Sequence, residues 1–505
     1  MSQQENRSSL TATLLLCASA LYLYVNLFAS LRVPFLIGGD QAYFWLRAMW
    51  MLNGERIYRD FLQFSQPPGL DLVFVSLFKV FGLKMWVTNF VVLVLGLAFV
   101  WMVFSIARRF MRRESAALAA AVFLVPIYGK ALNATHHWFG VLAVLVAIRV
   151  VLGGLATWRL AAAGAVLGLG SYFSTYHGLA GLLAFSVFLL WQGMRTQTGW
   201  AEIVRRQVLL FGAYVVALAL LYSHYLITGG TLGELWCFQV TYVRKYAVDA
   251  YRGGRLLFPL PLTLHNLPAL SEYLVVYVLL AAATAGGVFL CWKRRRETAS
   301  IEPAVLVALA AVFLFGEVAV SAWWLRIYAV SAPAVILLAW GREQLPRLRM
   351  CVLIVLWVWI VVLGAHQTLV RHRMQRAVID LPAGRVATTR QMADGMRLVA
   401  KFAKPGDAVF QAAWPGLYLP LHVRNPVAFE TVNVSDMPRP GDVELVMRQL
   451  NDRRVPYVLW AMQLDSSCSS YPCNDRLTAL REHVHAAYEP VATLPDGDTL
   501  WRRRR

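Results

Sequence analysis

The stretch GGDQAYFWLRAMWMLNGERIYRDFLQFSQPPGLDLV from Gly38 holds the residue types and spacing best suited to chemistry. Asp40 leads a segment in which Tyr43, Phe44, Leu46 and Trp50 suit a membrane interface while Arg47 stays in water, before Asn53 and Gly54 break the helix. A carboxylate held at that level suits a general base that takes the proton of a hydroxyl when the other reactant is a membrane lipid. Asp60, in YRDF, is the second acidic candidate, and Pro67, Pro68 and Gly69 stiffen the chain before the apolar run Leu70 to Phe81. The plainer alternatives are that Asp40 merely caps the helix and that Asp60 is a solvated loop charge.

Other candidates are scattered along the chain. His136 and His137, in NATHHWFG, open a helix about 100° apart, so both cannot address one ligand equally; anchoring at the interface beside Trp138 is the alternative. His177 follows between two apolar spans on the same face. Arg326 and Tyr328, in WWLRIYAVSAPA, begin a later span, where an arginine can bind an anion or simply snorkel. Glu317 lies inside an apolar span, where a carboxylate is costly, and Arg149 is a structural partner for it. Arg244, Lys245, Arg252 and Arg255 alternate with Tyr242, Tyr246 and Tyr251, the pattern of a lid over an anionic ligand or of an ordinary solvated loop.

The elements that must position these residues are membrane helices. The chain of 505 residues is 58% hydrophobic and 15% charged, with a mean hydropathy of +0.53, which excludes an ordinary soluble protein. Its net charge of +20 comes from short basic blocks between apolar runs, a signature of topology that argues against nucleic acid as a partner. Placing Arg108 to Arg113, Arg195 to Arg206, Lys293 to Arg296 and Arg342 to Arg349 inside gives about eleven transmembrane helices. They fall near 11–31, 86–107, 115–131, 138–154, 159–175, 178–194, 207–227, 270–292, 302–322, 327–341 and 350–366.

The N-terminus is then cytoplasmic and the C-terminus external. Leu70 to Phe81 is left as an interfacial helix on the outer face, because a crossing there would export the Arg108 to Arg113 block. Residues 1–372 form an all-α polytopic membrane domain with long external loops 32–85 and 228–269, and residues 373–505 form a small external, periplasmic α/β domain. In that tail we expect helices over 389–404, 443–450 and from Asn474 to about Tyr488, strands over 408–414 and 457–462, and a hairpin turning at Pro495 to Gly497. Six cysteines are scattered without metal spacing; Cys468 and Cys473 in SSCSSYPC are the disulfide candidates, which an oxidising compartment permits.

An Asp just after the first membrane helix, a helix ending in a small-residue break, Tyr-Arg-Asp, Pro-Pro-Gly and an apolar segment ending in Phe-Gly together resemble the GT-C class of integral membrane glycosyltransferases. The similarity is to the bacterial branch related to protein O-mannosyltransferases and to the aminoarabinose transferases of lipid A. In motif it covers about Gly38 to Gly82, and in architecture the whole chain. It implies an inverting glycosyltransferase in the inner membrane, using a polyprenyl-phosphate sugar donor at the external face and a glycan, lipid or protein acceptor. By the match Asp40 is the catalytic acid of the first loop. Arg326 and Tyr328 match an Arg or His, Tyr, then Pro segment, so that Arg326 contacts the lipid phosphate, and His136, His177, Arg244 and Lys245 are further donor-binding or phosphate-binding candidates.

The chain departs from the commoner pattern at Gln66, where relatives often carry His or Lys, at His136 and His137, where they often carry a second acidic residue, and at Thr175, Tyr176 and His177, where Thr-Lys is common. No metal site is assigned; a divalent metal is compatible with the class but has no support in these residues. A multi-pass lipid or small-molecule transporter is the alternative reading, based on the many crossings and Glu317 with its expected Arg149 partner. A non-catalytic scaffold using the tail is a third.

Overall fold

The structure, a computed structural model, describes residues 2–61, 66–241, 278, 280–293, 301–318, 324–344, 349–432, 441–465 and 477–505. Among the described residues a helix stands at each of the eleven expected spans. They are α1 (Ser2–Leu27), α4 (Met85–Ala107), α5 (Arg113–Val122), α6 (His136–Val151), α7 (Thr157–Phe173), α8 (Thr175–Arg195), α9 (Trp200–Ile227), α11 (Leu280–Lys293), α12 (Glu302–Val318), α14 (Ala332–Glu343) and α15 (Arg349–Met374). Helices α2 (Gln41–Leu52) and α3 (Gly69–Phe81) lie in the first loop, α10 (Leu232–Trp236) begins the second, and α13 (Trp324–Val330) precedes α14. Five helices, α1, α4, α8, α9 and α15, are long and apolar enough to cross a bilayer by themselves among the described residues.

Composition explains how these helices pack. Helix α4 is apolar on all sides and more than half buried, as expected of a helix inside a bundle. Gly164 and Gly168, one turn apart on α7, let α9 come so close that a Cβ at either would collide with the carbonyl of Leu210 or Tyr214. Pro126 cannot donate a helical hydrogen bond, and α5 widens there into a π-helical turn, Phe123–Tyr128. The first and last long helices are clasped by polar contacts. Tyr22 donates to Gln367 (2.8 Å), Asn26 donates to Thr368 (2.8 Å), Arg371 donates to the Asn26 carbonyl (2.8 Å), and the His372 ring lies 2.8 Å from the Val25 carbonyl.

Helix α1 stops four residues short of the expected end at Leu31. Phe28–Ser30 (β1) and Val33–Pro34 (β2) pair antiparallel instead, and buried Asn89 donates to the carbonyls of Leu27 (2.6 Å) and Phe35 (3.0 Å) on either side of that turn. Helix α3 forms where an interfacial helix is expected, with Asp71 fully buried and Val80 73% exposed at its far end.

The amphipathic reading of α2 is overturned. Phe44, Leu46 and Trp50 are buried in the protein core, and Arg47, expected in water, is only 3% exposed. It pairs with Glu430 of the tail through two nitrogens, lies 3.6 Å from Asp71 of α3, and donates to Gln66 (2.8 Å). A guanidinium of fixed planar geometry can serve three acceptors at once, which is what removing it from water requires.

The tail carries the expected α/β pattern with two additions, a hairpin and the short helix Tyr418–Leu421. Ala377–Leu381 (β3) and Gly384–Thr388 (β4) form a hairpin that sequence reading did not assign. It joins the first loop, since the Leu36 amide donates to the Ala387 carbonyl (2.8 Å) and Phe35 bridges Ala387. Beyond α16 (Arg390–Phe402) a four-stranded sheet runs in the order β5 (Val409–Gln411), β6 (Tyr457–Trp460), β8 (Thr499–Arg503), β7 (Tyr488–Thr493), with only β5 and β6 parallel. Helices α17 (Tyr418–Leu421), α18 (Asp442–Asp452) and α19 (Thr478–Ala487) complete it, and α17 packs on α2. Cys468, Cys473 and Asn474 lie outside the described residues.

Replacing Arg47 by Met should leave Asp71 and Glu430 buried without their cation, a loss of about 3–5 kcal/mol. Glu430→Gln leaves the Arg47–Asp71 pair intact and should cost less, roughly 1.5–3 kcal/mol. Thermal unfolding in detergent checks the order, and equal losses would mean that the triad is not the tie between loop and tail.

Candidate functional site

Five chain segments converge where the first loop meets the helix ends. Gly39 has φ +102, a conformation that disfavours L side chains, and a Cβ there would meet Asn133 Nδ2 at 2.9 Å. The next residue, Asp40, opens α2 without capping it, because its side chain makes no hydrogen bond to the helix amides. Its Oδ2 instead faces the Thr135 hydroxyl at 3.4 Å. Fully buried Gln41 fixes this approach by donating to the Ile37 carbonyl and accepting from the Ala134 amide (3.0 Å). Asp40 is thus surrounded by protein while part of its surface stays open.

Burial pushes the Asp40 carboxyl above its ordinary range; the Thr135 hydrogen bond and the positive charges of Arg326 and Arg47 oppose the rise. Arg326, half-buried on α13, therefore stands close enough to act on Asp40, and α13 packs on α6, which carries His136 and His137. Tyr328 is buried, with only 1% of its surface exposed. Asp60 is elsewhere in character: it accepts from the Arg56 amide (2.7 Å) and guanidinium (3.0 Å) at the surface, which holds it below its ordinary range. That is the solvated loop charge foreseen as its plainer reading.

The histidines are buried, not interfacial anchors: His136 and His137 are each 8% exposed and His177 is fully enclosed. His137 Nδ1 lies 3.0 Å from His177 Nε2, and His177 Nδ1 lies 2.8 Å from Glu317 Oε2. The His136 ring leans on that of His137, with centres 3.9 Å apart and planes tilted by 37°, and its Nδ1 lies 3.4 Å from the Thr135 hydroxyl. The expected Glu317–Arg149 pair is absent. Arg149 lies near the far end of α6, about 20 Å from His136 at 1.5 Å per residue, in the field of Arg109 and Arg159.

Thus Asp40, His136, His177, Arg326 and Glu317 come together, and Asp60 does not. Arg244 and Lys245 lie outside the described residues. Thr135, Gln41 and Asp71 escaped sequence reading; Gly39 directly before Asp40 and Asp71 directly after Pro-Pro-Gly-Leu were the available signals. Among the described residues no group of three or more His, Cys, Asp or Glu side chains is arranged to hold a metal ion.

The fold is that of the GT-C class of integral membrane glycosyltransferases. Its particular likenesses are to ArnT from Cupriavidus metallidurans bound to undecaprenyl phosphate, at 15% identity over 97% of each chain and a TM-score of 0.62, and to two other enzymes. The oligosaccharyltransferase AglB from Archaeoglobus fulgidus, in complex with an inhibitory peptide and a dolichol-phosphate, matches at 13% identity over 89% of this chain and 69% of its own, with a TM-score of 0.53. The mycobacterial arabinofuranosyltransferase AftD matches at 14% identity over 98% of this chain and 40% of its own, at 0.50. No family model and no curated protein sequence matches the chain.

A hydrophobic carbodiimide attacks protonated carboxyls, so its labelling of Asp40 should persist to higher pH than its labelling of Asp60. Arg326→Gln removes a charge that favours the carboxylate, and the Asp40 labelling limit should then move further up in pH. Peptide mass spectrometry after labelling across pH checks both; a limit unmoved by the substitution would separate Arg326 from Asp40.

Proposed function

We propose that this protein is a membrane glycosyltransferase that moves a sugar from a polyprenyl phosphate to a hydroxyl acceptor on a glycan, lipid or protein at the outer face of the inner membrane. The observation that carries the reading is Asp40, partly open at the surface, held by Gly39 and Gln41 beside Thr135 and in the field of Arg326, within a GT-C fold. Undecaprenyl phosphate in ArnT and dolichol-phosphate in AglB support a lipid-linked donor.

In this reading Asp40 accepts the acceptor's hydroxyl proton as the oxygen attacks the anomeric carbon from the side opposite the phosphate. A carboxylate whose proton affinity is raised by burial is a stronger base than one in water. Arg326 binds the phosphate and stabilises the charge that develops as the carbon–oxygen bond breaks. Residues 1–372 hold the membrane and reaction machinery, and residues 373–505 lie on the external side, with the N-terminus cytoplasmic.

Asp40→Asn should keep expression and membrane insertion while lowering transfer by about 10²–10⁴-fold. The assay is mass spectrometry of envelope glycans from cells lacking the protein and complemented with either form. Restoration of the missing glycan by the Asn variant at the wild-type rate would remove Asp40 as base. The orientation is tested separately at Arg390, whose side chain is 94% exposed. Arg390→Cys, in a background without other cysteines, should react with an impermeant maleimide in intact spheroplasts, and labelling only after permeabilisation would put the tail inside.

A further inference from the structure

The end of the bundle remote from Asp40 gathers arginines in excess of carboxylates. Helix α4 begins beside the first loop, where the Met85 amide donates to the Ala383 carbonyl (3.1 Å). Its 23 residues carry the chain about 35 Å, the apolar thickness of a bilayer, to Arg108. Helix α6 likewise leads from His136 to Arg149 in its last turn, and α7 carries Arg159 in its first. Arg109 and Arg159 stand close enough to Arg149 for their charges to act on it. Among the described residues, Arg108, Arg109, Arg112, Arg149 and Arg159 form no salt bridge.

Three of these arginines build a recess. Arg108, Arg109, Phe110, Met111, Arg112 and Glu343 line an open hollow of about 370 Å³ at the turn between α4 and α5. Its walls are tied down, since Arg108 donates to the Met111 carbonyl (3.3 Å) and Glu343 of α14 accepts from the Arg112 amide (2.9 Å). Glu343 is the one carboxylate of the lining, set against three guanidiniums. Like charges held together this way repel, and a counter-anion in the recess would relieve that repulsion.

The apolar surroundings indicate what carries that anion. Phe90, Val94 and Trp101 are exposed along one face of α4, and Arg108 continues that face at the helix end. Trp158 is 64% exposed with the Arg159 guanidinium 5.0 Å from its ring centre, and exposed tryptophans of this kind sit at the level of lipid headgroups. An acyl chain laid along the α4 stripe brings its headgroup to Arg108. We propose that Arg108, Arg109 and Arg112 bind the phosphate of an anionic membrane phospholipid, with Arg149 and Arg159 adding to the attraction through their position beside Arg109. The guanidinium fork suits phosphate oxygens, and basic pockets at helix ends are suited to lipid headgroups. This site lies a membrane's thickness from Asp40 and stands or falls independently of the transferase reading.

The experiment is native mass spectrometry of the full-length protein in detergent, titrated with phosphatidylglycerol or with zwitterionic phosphatidylcholine. The wild type should hold phosphatidylglycerol at least about tenfold more tightly than phosphatidylcholine, and Arg109→Gln and Arg149→Gln should each weaken phosphatidylglycerol about fivefold. Arg109→Lys and Arg149→Lys, which keep the charge, should recover most of the loss. Because Arg109 is exposed, its substitution leaves the fold intact, and thermal unfolding in detergent checks this. Arg205→Gln is the matched control: it removes the same charge from another basic block, but from a guanidinium already paired with Glu202 at 2.6 Å, and should change the affinity less than about twofold. Equal affinity of the wild type for the two lipids overturns the site. Equal weakening by Arg205→Gln and Arg109→Gln also overturns it, since general attraction to positive charge then accounts for the binding. Displacement of phosphatidylglycerol by inorganic phosphate at equal concentration overturns the lipid as occupant.

Discussion

The buried guanidinium of Arg47 is the constraint on which the other parts of the first loop depend. It ties α2 to α3, its neighbour in the first loop, through Asp71, and to the tail, 383 residues further along the chain, through Glu430. Desolvating one cation and two carboxylates is costly, and the cost is offset only where all partners meet with good geometry. Such a group specifies one arrangement: α2 cannot turn, and the tail cannot slide, without leaving a charge stranded. Asp40 sits at the start of the helix that Arg47 fixes, so its orientation follows from a contact two turns away.

The site itself combines opposed electrostatic demands. Asp40 is deep enough for burial to favour its protonated form, while Thr135, Arg326 and Arg47 pull it towards the carboxylate. A group so balanced responds to small changes in nearby charge far more than one in water, because the low local dielectric amplifies each neighbour.

The helical spans and the tail's α/β order were legible because composition and periodicity are local properties. Asp40 was legible because an acid after a membrane helix and before a small-residue break is a short-range pattern. What was not legible required partners distant in sequence. Arg47 reads as the polar face of an interfacial helix until Glu430 is brought beside it, and the Phe44, Leu46 and Trp50 face loses its membrane meaning once the tail covers it. Glu317 called for a cation, and Arg149 was a reasonable choice by span alone; depth along the helix decided for His177 instead. The β3–β4 hairpin was missed because its pairing with Phe35 and Leu36 completes its environment from another part of the chain.

The clasp between the first and last long helices has a consequence for biogenesis. Tyr22 and Asn26 are made early, whereas Gln367, Thr368, Arg371 and His372, which satisfy them, emerge more than three hundred residues later. Until then the contacts from α1 to α15 are unmade, and contacts of this sequence separation are the slowest to form. The clasp on the first helix can therefore close only when the whole membrane region has been synthesised. A chain truncated before α15 would keep its early helices without the closure that holds them.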